Sequence, residues 1–236
     1  MGFSDATTFI SYLNKLGMIT FYGPSIMAGL AQIKHLPTEF SDHMRSILFS
    51  NEFPYNYKPY FMWTNEYKEW SKKETIGECA EFYNNEKGWI FLQGDKITQG
   101  RLWGGCIEVL EFLKSTKYWP EEDFWNDKIL FFETSEEKPL LHIVGYMLRN
   151  YGIQGIFNRV KGVIFGRPKD YSNDEKKILN NIVLSIIKNE FKSKGLPIVM
   201  NVDFGHTDPK VILPLGCMTK IDPIKKNITL LESPFY

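Results

Sequence analysis

Ile129-Leu130-Phe131-Phe132-Glu133 is four uninterrupted apolar residues closed by a carboxylate. A run that short, with no polar alternation, reads as a strand covered on both faces, as in a parallel sheet wrapped by helices. Downstream, Leu141, Val144, Met147 and Leu148 repeat at helical spacing and stop near Gly152. Val163-Ile164-Phe165, ended by Gly166, is a second buried strand. Ser172-Asn173-Asp174-Glu175 is a capping box, and it opens an amphipathic helix carrying Ile178, Leu179, Ile182, Val183, Ile186 and Ile187. Pro197 to Val202 returns to strand. Thr219 to Asp222, a polar turn at Lys225-Lys226-Asn227, and Ile228 to Leu231 form a hairpin. Upstream, Trp89 to Leu92 is a strand, and Gly104-Gly105 opens a helix with Ile107, Leu110 and Leu113 on one face. From Trp89 onward the alternation predicts an α/β domain.

The amino-terminal part is organised differently. A helix runs through Phe9, Ile10 and Leu13, capped by Ser4 or Asp5. Met18 to Phe21 is a short strand closed by Gly23-Pro24, and a second helix covers the region near Glu39 to Phe49. Phe53 to Trp70 holds eight aromatic residues and two prolines with no helical or alternating period, which predicts a long ordered loop or an inter-domain segment.

Composition narrows the function. In 236 residues, 28 Lys and Arg balance 28 Asp and Glu. A nucleic-acid binder that works by releasing counterions needs a basic surplus that is missing here. No apolar run approaches the roughly 18 residues of a membrane span, and Met1-Gly2-Phe3-Ser4-Asp5 lacks the basic and apolar regions of a signal peptide. Cys79, Cys106 and Cys217 are widely spaced, and no cluster has metal-ligand spacing, so neither a disulfide framework nor a metal or other cofactor is expected. The reading is a cytoplasmic protein without a nucleic-acid or membrane partner.

Functional residues of α/β sheets gather just past the carboxyl ends of strands. Glu133 meets that description directly. His206 meets it in the tight loop Gly205-His206-Thr207-Asp208-Pro209, a few residues after Val202. A carboxylate orienting an imidazole is the supporting half of a nucleophilic triad, and the order Glu then His fits one class of hydrolases. The alternative is a salt-bridged glutamate and a structural histidine. No Gly-x-Ser-x-Gly is present. By position alone Ser4 is either a nucleophile opening a helix or a plain cap, and Ser25 is a weaker candidate. Cys106 at a helix start has either a lowered thiol pKa or a buried packing role.

Seven segments occur in order: Gly2-Phe3-Ser4-Asp5-Ala6-Thr7, Thr20-Phe21-Tyr22-Gly23-Pro24, Gly100-Arg101-Leu102-Trp103-Gly104-Gly105, Ile129 to Glu133, Gly162 to Gly166, Gly205-His206 and Leu213-Pro214-Leu215-Gly216. Together they resemble the muramoyl-tetrapeptide LD-carboxypeptidase family of serine peptidases, and within it the microcin C self-immunity subgroup. The resemblance implies a serine amide hydrolase with Ser4 as nucleophile, Glu133 as acid and His206 as base. The Asp5 N–H would be one oxyanion donor. Trp63, Trp70 and Trp103 are the substrate-binding candidates, with Trp63 and Trp70 as platforms for a nucleobase or, on the alternative reading, as seals of a domain interface. The implied substrate is a murein peptide or a peptidyl-nucleotide of the aspartyl-adenylate kind, and the full-length form is expected to be a homodimer.

The same resemblance sets the expected fold. Residues 1–50 would be the end of a Rossmann-like nucleophile domain, 51–88 an aromatic-rich linker, and 89–236 a carboxy-terminal α/β domain with a mixed sheet. An amino-terminal sheet region before the elbow would supply the other oxyanion donor, so the isolated chain is expected to be nearly inactive. Tyr22 stands where many carboxypeptidases have His, and Cys106 where Asn is common. The competing functions are a non-catalytic module that binds an adenylate-like ligand, and a fragment that works with a separate amino-terminal half.

Overall fold

The computed structural model describes residues 1–69, 71–75 and 77–235. Its centre is the predicted parallel sheet. Strands β6 (Thr98–Cys106), β7 (Lys128–Glu133), β8 (Gly162–Gly166) and β9 (Ile198–Val202) lie side by side and parallel. Helices α3 (Ile107–Glu111), α4 (Leu141–Ile153) and α5 (Asn173–Leu184) make the three crossovers. Right-handed crossovers between adjacent strands stack such helices on one face, and α3 packs on α4 and α4 on α5. β7 is buried along its whole length, as its unbroken apolar run requires.

The sheet is mixed, as expected, and has eight strands. On the β6 side it continues through the antiparallel strands β11 (Met218–Asp222), β12 (Asn227–Leu230) and β2 (Tyr55–Asn56). On the β9 side it ends with antiparallel β5 (Ile90–Gln93). The capping box of α5 is formed: Ser172 Oγ accepts the Glu175 N–H at 3.2 Å, and Glu175 Oε2 accepts the Ser172 N–H at 2.7 Å. Losing such a cap costs about 1 kcal/mol.

Two expectations are corrected. Gly104-Gly105 does not open a helix but lies inside β6, and α3 begins only at Ile107. Glycine usually weakens a strand, but here a neighbour demands it. A Cβ on Gly105 would sit 2.4 Å from Thr7 Cγ2, and one on Gly104 would strike the Phe131 backbone. The bare backbone lets helix α1 (Ala6–Lys15) dock on β6, where Ser11 Oγ donates to Gly104 O at 2.9 Å and Cys106 N–H donates to Thr7 Oγ1 at 3.1 Å. Second, no side chain caps α1. Asp5 holds the cap position without a side-chain hydrogen bond, and Ser4 stands before it with φ +57°.

The amino-terminal elements attach to this frame. Strand β1 (Thr20–Tyr22) pairs antiparallel with β10 (Leu213–Leu215), and Gly2 bridges Tyr22 in the parallel sense. Helix α2 (Thr38–Leu48) buries Phe40, His43 and Ile47. The aromatic stretch is largely irregular but contributes β2 and also β3 (Met62–Trp63), which pairs with β4 (Tyr83–Asn84). One apolar core runs from Ile10 and Tyr22 through the sheet to Leu230, crossing residues 50 and 88. Among the described residues no helix is long and apolar enough to cross a membrane.

Candidate active site

Three chain segments meet at the carboxyl end of β7. Glu133, the last residue of that strand, is fully buried. Its Oε2 lies 2.8 Å from His206 Nδ1, and its Oε1 accepts the Tyr22 hydroxyl. A carboxylate held from both sides in this way fixes the imidazole with its proton on Nδ1, leaving Nε2 as the free base. The approach of the His206 loop depends on Gly205, which has φ +102° and where a Cβ would sit 2.7 Å from Glu133 Oε2.

The amino-terminal elbow arrives through β1. Gly2 pairs with Tyr22, the chain turns sharply at Ser4, and α1 leaves over β6. A non-glycine residue at positive φ stores about 1–3 kcal/mol of strain, and such strain clusters at functional sites. The Tyr22 hydroxyl accepts the Ser4 N–H at 3.4 Å while donating to Glu133, so one side chain joins the elbow to the acid. Phe3 packs edge-on to the His206 ring with centroids 5.0 Å apart. The Asp5 N–H has no hydrogen-bond acceptor among the described residues.

His206 Nε2 is buried and has no hydrogen-bond partner among the described residues, Ser4 Oγ included. Glu136 Oε2 lies 2.7 Å from it, off the direction a hydrogen bond needs. Burial works to lower the His206 pKa. The charge and hydrogen bond of Glu133, helped by Glu136 and opposed by Lys210, override it, so the pKa stands above the ordinary value of 6.5. Tyr22 is pushed far up by burial and then by Glu133, which keeps its hydroxyl protonated as a donor.

A second layer holds the His206 loop. Lys210 is fully buried; its ammonium donates to Asp208 Oδ1 at 2.7 Å and to the Tyr67 hydroxyl at 2.9 Å, and it lies 4.5 Å from the Phe3 ring centre. Thr64 and Asp208 exchange backbone hydrogen bonds of 2.7 and 2.9 Å, tying the aromatic stretch to this loop. Sequence reasoning missed Lys210, Glu136 and the bridging role of Tyr22. For Lys210 the available signal was a lysine in the tight loop that carries the histidine.

The remaining expected site residues separate. Trp103 is not a substrate-binding residue: it is fully buried, donates its Nε1–H to Ser11 O, and packs edge-on against Trp119, Phe124 and Trp125. It alternates along β6 with residues facing the other way, so the core claims it. Cys106 has no lowered thiol pKa. Burial, followed by the Glu133 charge, raises it, so the residue is an inert packing thiol. Trp63 is half-buried against Arg167 and Lys176, in a cavity of about 420 Å³ that none of Ser4, Glu133 and His206 lines. Trp70 lies outside the described residues. A larger cavity of about 830 Å³ between α2 and the aromatic stretch also excludes the three. Among the described residues no group of His, Cys, Asp and Glu is arranged to hold a metal ion.

The fold and this site define a mixed α/β sheet protein with a carboxylate–imidazole pair buried at the carboxyl end of a parallel strand. Residues 99–221, more than half of the chain, match the family described as the LD-carboxypeptidase C-terminal domain, and the chain belongs to that family. It is 28% identical over 223 residues to a Vibrio cholerae protein that carries a carboxypeptidase name, covering 94% of this chain and 63% of that one. It is 25% identical over 236 residues to the microcin C7 self-immunity protein MccF of Escherichia coli, covering 98% of this chain and 65% of that one. Among solved structures, an MccF-like protein from Streptococcus pneumoniae in complex with AMP superposes with a TM-score of 0.83 at 28% identity, over 98% of this chain and 68% of that one. The chain thus spans under two thirds of the length of these curated relatives.

Proposed function

We propose that this chain is the catalytic portion of a serine-type amide hydrolase in which Ser4, Glu133 and His206 form the triad. The observation that carries the reading is the buried Glu133–His206 pair, whose carboxylate the Tyr22 hydroxyl joins to the strained Ser4 elbow. In the reaction, His206 Nε2 takes the Ser4 hydroxyl proton as the oxygen attacks the amide carbon. Glu133 stabilises the imidazolium, and the Asp5 N–H donates to the developing oxyanion. His206 then protonates the leaving amine, and water releases the acyl group by the same steps in reverse. Glu136 leaves Nε2 as substrate arrives.

MccF has been solved in complex with aspartyl sulfamoyl adenosine, at a TM-score of 0.83 and 26% identity to this chain. That likeness supports a peptidyl-nucleotide substrate of the aspartyl-adenylate kind, with a murein peptide as the alternative within the family. A second oxyanion donor from an amino-terminal region is part of the reading, because removing one such donor costs on the order of 100- to 1000-fold in rate. So are a cytoplasmic location and a homodimeric full-length form. The three cysteines are free, as in a reducing compartment.

The test is chemical labelling followed by turnover. A fluorophosphonate should modify Ser4 in the purified chain, and His206→Ala and Glu133→Gln should each slow the labelling by at least about tenfold. Aspartyl sulfamoyl adenosine should slow labelling of the wild type. Unlabelled Ser4, with that nucleoside still bound, would replace the hydrolase by a binding module.

A further inference from the structure

Beyond the end of β8 lies a second concentration of charge that the hydrolysis does not use. Arg167 follows the strand directly, and its side chain is only 3% exposed. Its guanidinium donates to Asp203 Oδ1 and approaches Asn85 Oδ1 and Asn201 Oδ1 at 3.4 Å, while Nε has no partner among the described residues. Lys176, in the first turns of α5, lies with its ammonium 4.9 Å from the centre of the Trp63 ring. The Arg167 guanidinium lies 4.7 Å from the same ring. Lys176 has no carboxylate partner among the described residues. Burial, and then the Arg167 charge, push its pKa below the ordinary lysine value.

These groups line the cavity of about 420 Å³. Four cations, Lys87, Arg167, Lys176 and Lys177, border it against the single carboxylate of Glu86. Lys177 is already paired with Asp174, and Asp203 alone answers Arg167. Arg167 is neutralised by Asp203, so of the two cations on this indole Lys176 bears the cost of burying unpaired charge, and cation–π contact offsets only part of it. An anion beside them would complete the balance. The volume falls in the range of small-molecule sites, well above that of a bare ion, and Tyr83 and Ile90 add apolar wall.

We propose that this cavity is an anion-binding subsite, taking the phosphate or carboxylate of a small organic molecule beside the Arg167 guanidinium and Lys176 Nζ. Its carbon part would lie against Trp63 and Tyr83. The proposal is independent of the triad, since no triad residue lines the cavity.

The test is calorimetric titration of the purified chain with phenyl phosphate and, separately, benzoate, at constant ionic strength. Saturable binding of at least one is expected, and the stronger of the two tells whether the site prefers phosphate or carboxylate. Lys176→Gln should weaken binding about tenfold or more, a loss of about 1.4 kcal/mol. Lys176→Arg should retain it, and Lys225→Gln on the exposed hairpin turn should bind as the wild type. Should the glutamine variant not fold, an NMR titration of the Lys176 ammonium in the wild type decides, with its pKa rising when the anion is added. Absence of saturable binding by either probe, unchanged affinity in Lys176→Gln, or an unmoved Lys176 pKa would each overturn the proposal.

Discussion

Mild acid should loosen the strand that supports the elbow, and His43 sets the size of the effect. Its imidazole is buried, with Nδ1 2.8 Å from the Tyr55 hydroxyl and Nε2 accepting the Ile212 N–H at 2.7 Å. A backbone N–H can only donate, so Nε2 must carry a lone pair, and a proton there would face that N–H. Burial accordingly lowers the pKa to about 3. In the unfolded chain the pKa is about 6.5. Here the unfolded state binds the proton first, so the contribution of His43 is fully present above pH of about 6.5 and is lost as pH falls toward 3. At 1.36 kcal/mol per pH unit, the loss by pH 5 is about 2 kcal/mol. Ile212 leads into β10, which pairs with β1 and so with Tyr22 and the elbow. The assay is urea unfolding of wild type and His43→Gln near pH 7.5 and near pH 5. Glutamine can still accept the Ile212 N–H but does not titrate, so the variant should lose about 2 kcal/mol less across the interval. His206 titrates in both proteins and cancels. Equal losses, or an NMR titration of folded His43 near 6.5, would refute the reasoning.

Other consequences concern the site itself. Tyr22→Phe keeps the ring contacts with Phe131 and Phe204 but strips a donor from the buried Glu133; unfolding should cost about 1.5–3 kcal/mol less and kcat should fall, as chemical denaturation and steady-state assays would show. Ser4→Gly relieves the φ +57° conformation and should raise stability by about 1 kcal/mol while abolishing acylation, read by a thermal melt beside the labelling assay. The raised His206 pKa places the rise of kcat/KM with pH above about 6.5. Glu136→Gln removes one of the charges that raise it, so the inflection should move to lower pH. The same raised pKa stabilises the fold at pH below the unfolded value of about 6.5, and that contribution disappears as pH climbs through the folded pKa.

What the sequence determined by itself was whatever depends on neighbours along the chain. The apolar run of β7 and the Ser172–Glu175 box with its 3.6-residue period identified a parallel strand and a crossover helix, because each pattern acts within one element. Glu133 and His206 were legible because strand ends and glycine-rich loops are local features. The helix expected at Gly104-Gly105 failed for the opposite reason. Three glycines in β6 argue against a strand on propensity, yet Phe131 on one side and Thr7 on the other leave no room for a Cβ. Trp103, Cys106 and Tyr22 show the same limit. An indole reads as a platform, a thiol at a helix start as reactive and a tyrosine as a departure from a motif, until the tertiary fold assigns each its neighbours. Packing then makes Trp103 core, and burial beside Glu133 raises the Cys106 pKa. Tyr22, 111 residues from Glu133 in the chain, becomes the hydroxyl that links elbow to acid. Burial and charge fields depend on distance in space, and only the folded chain sets those distances.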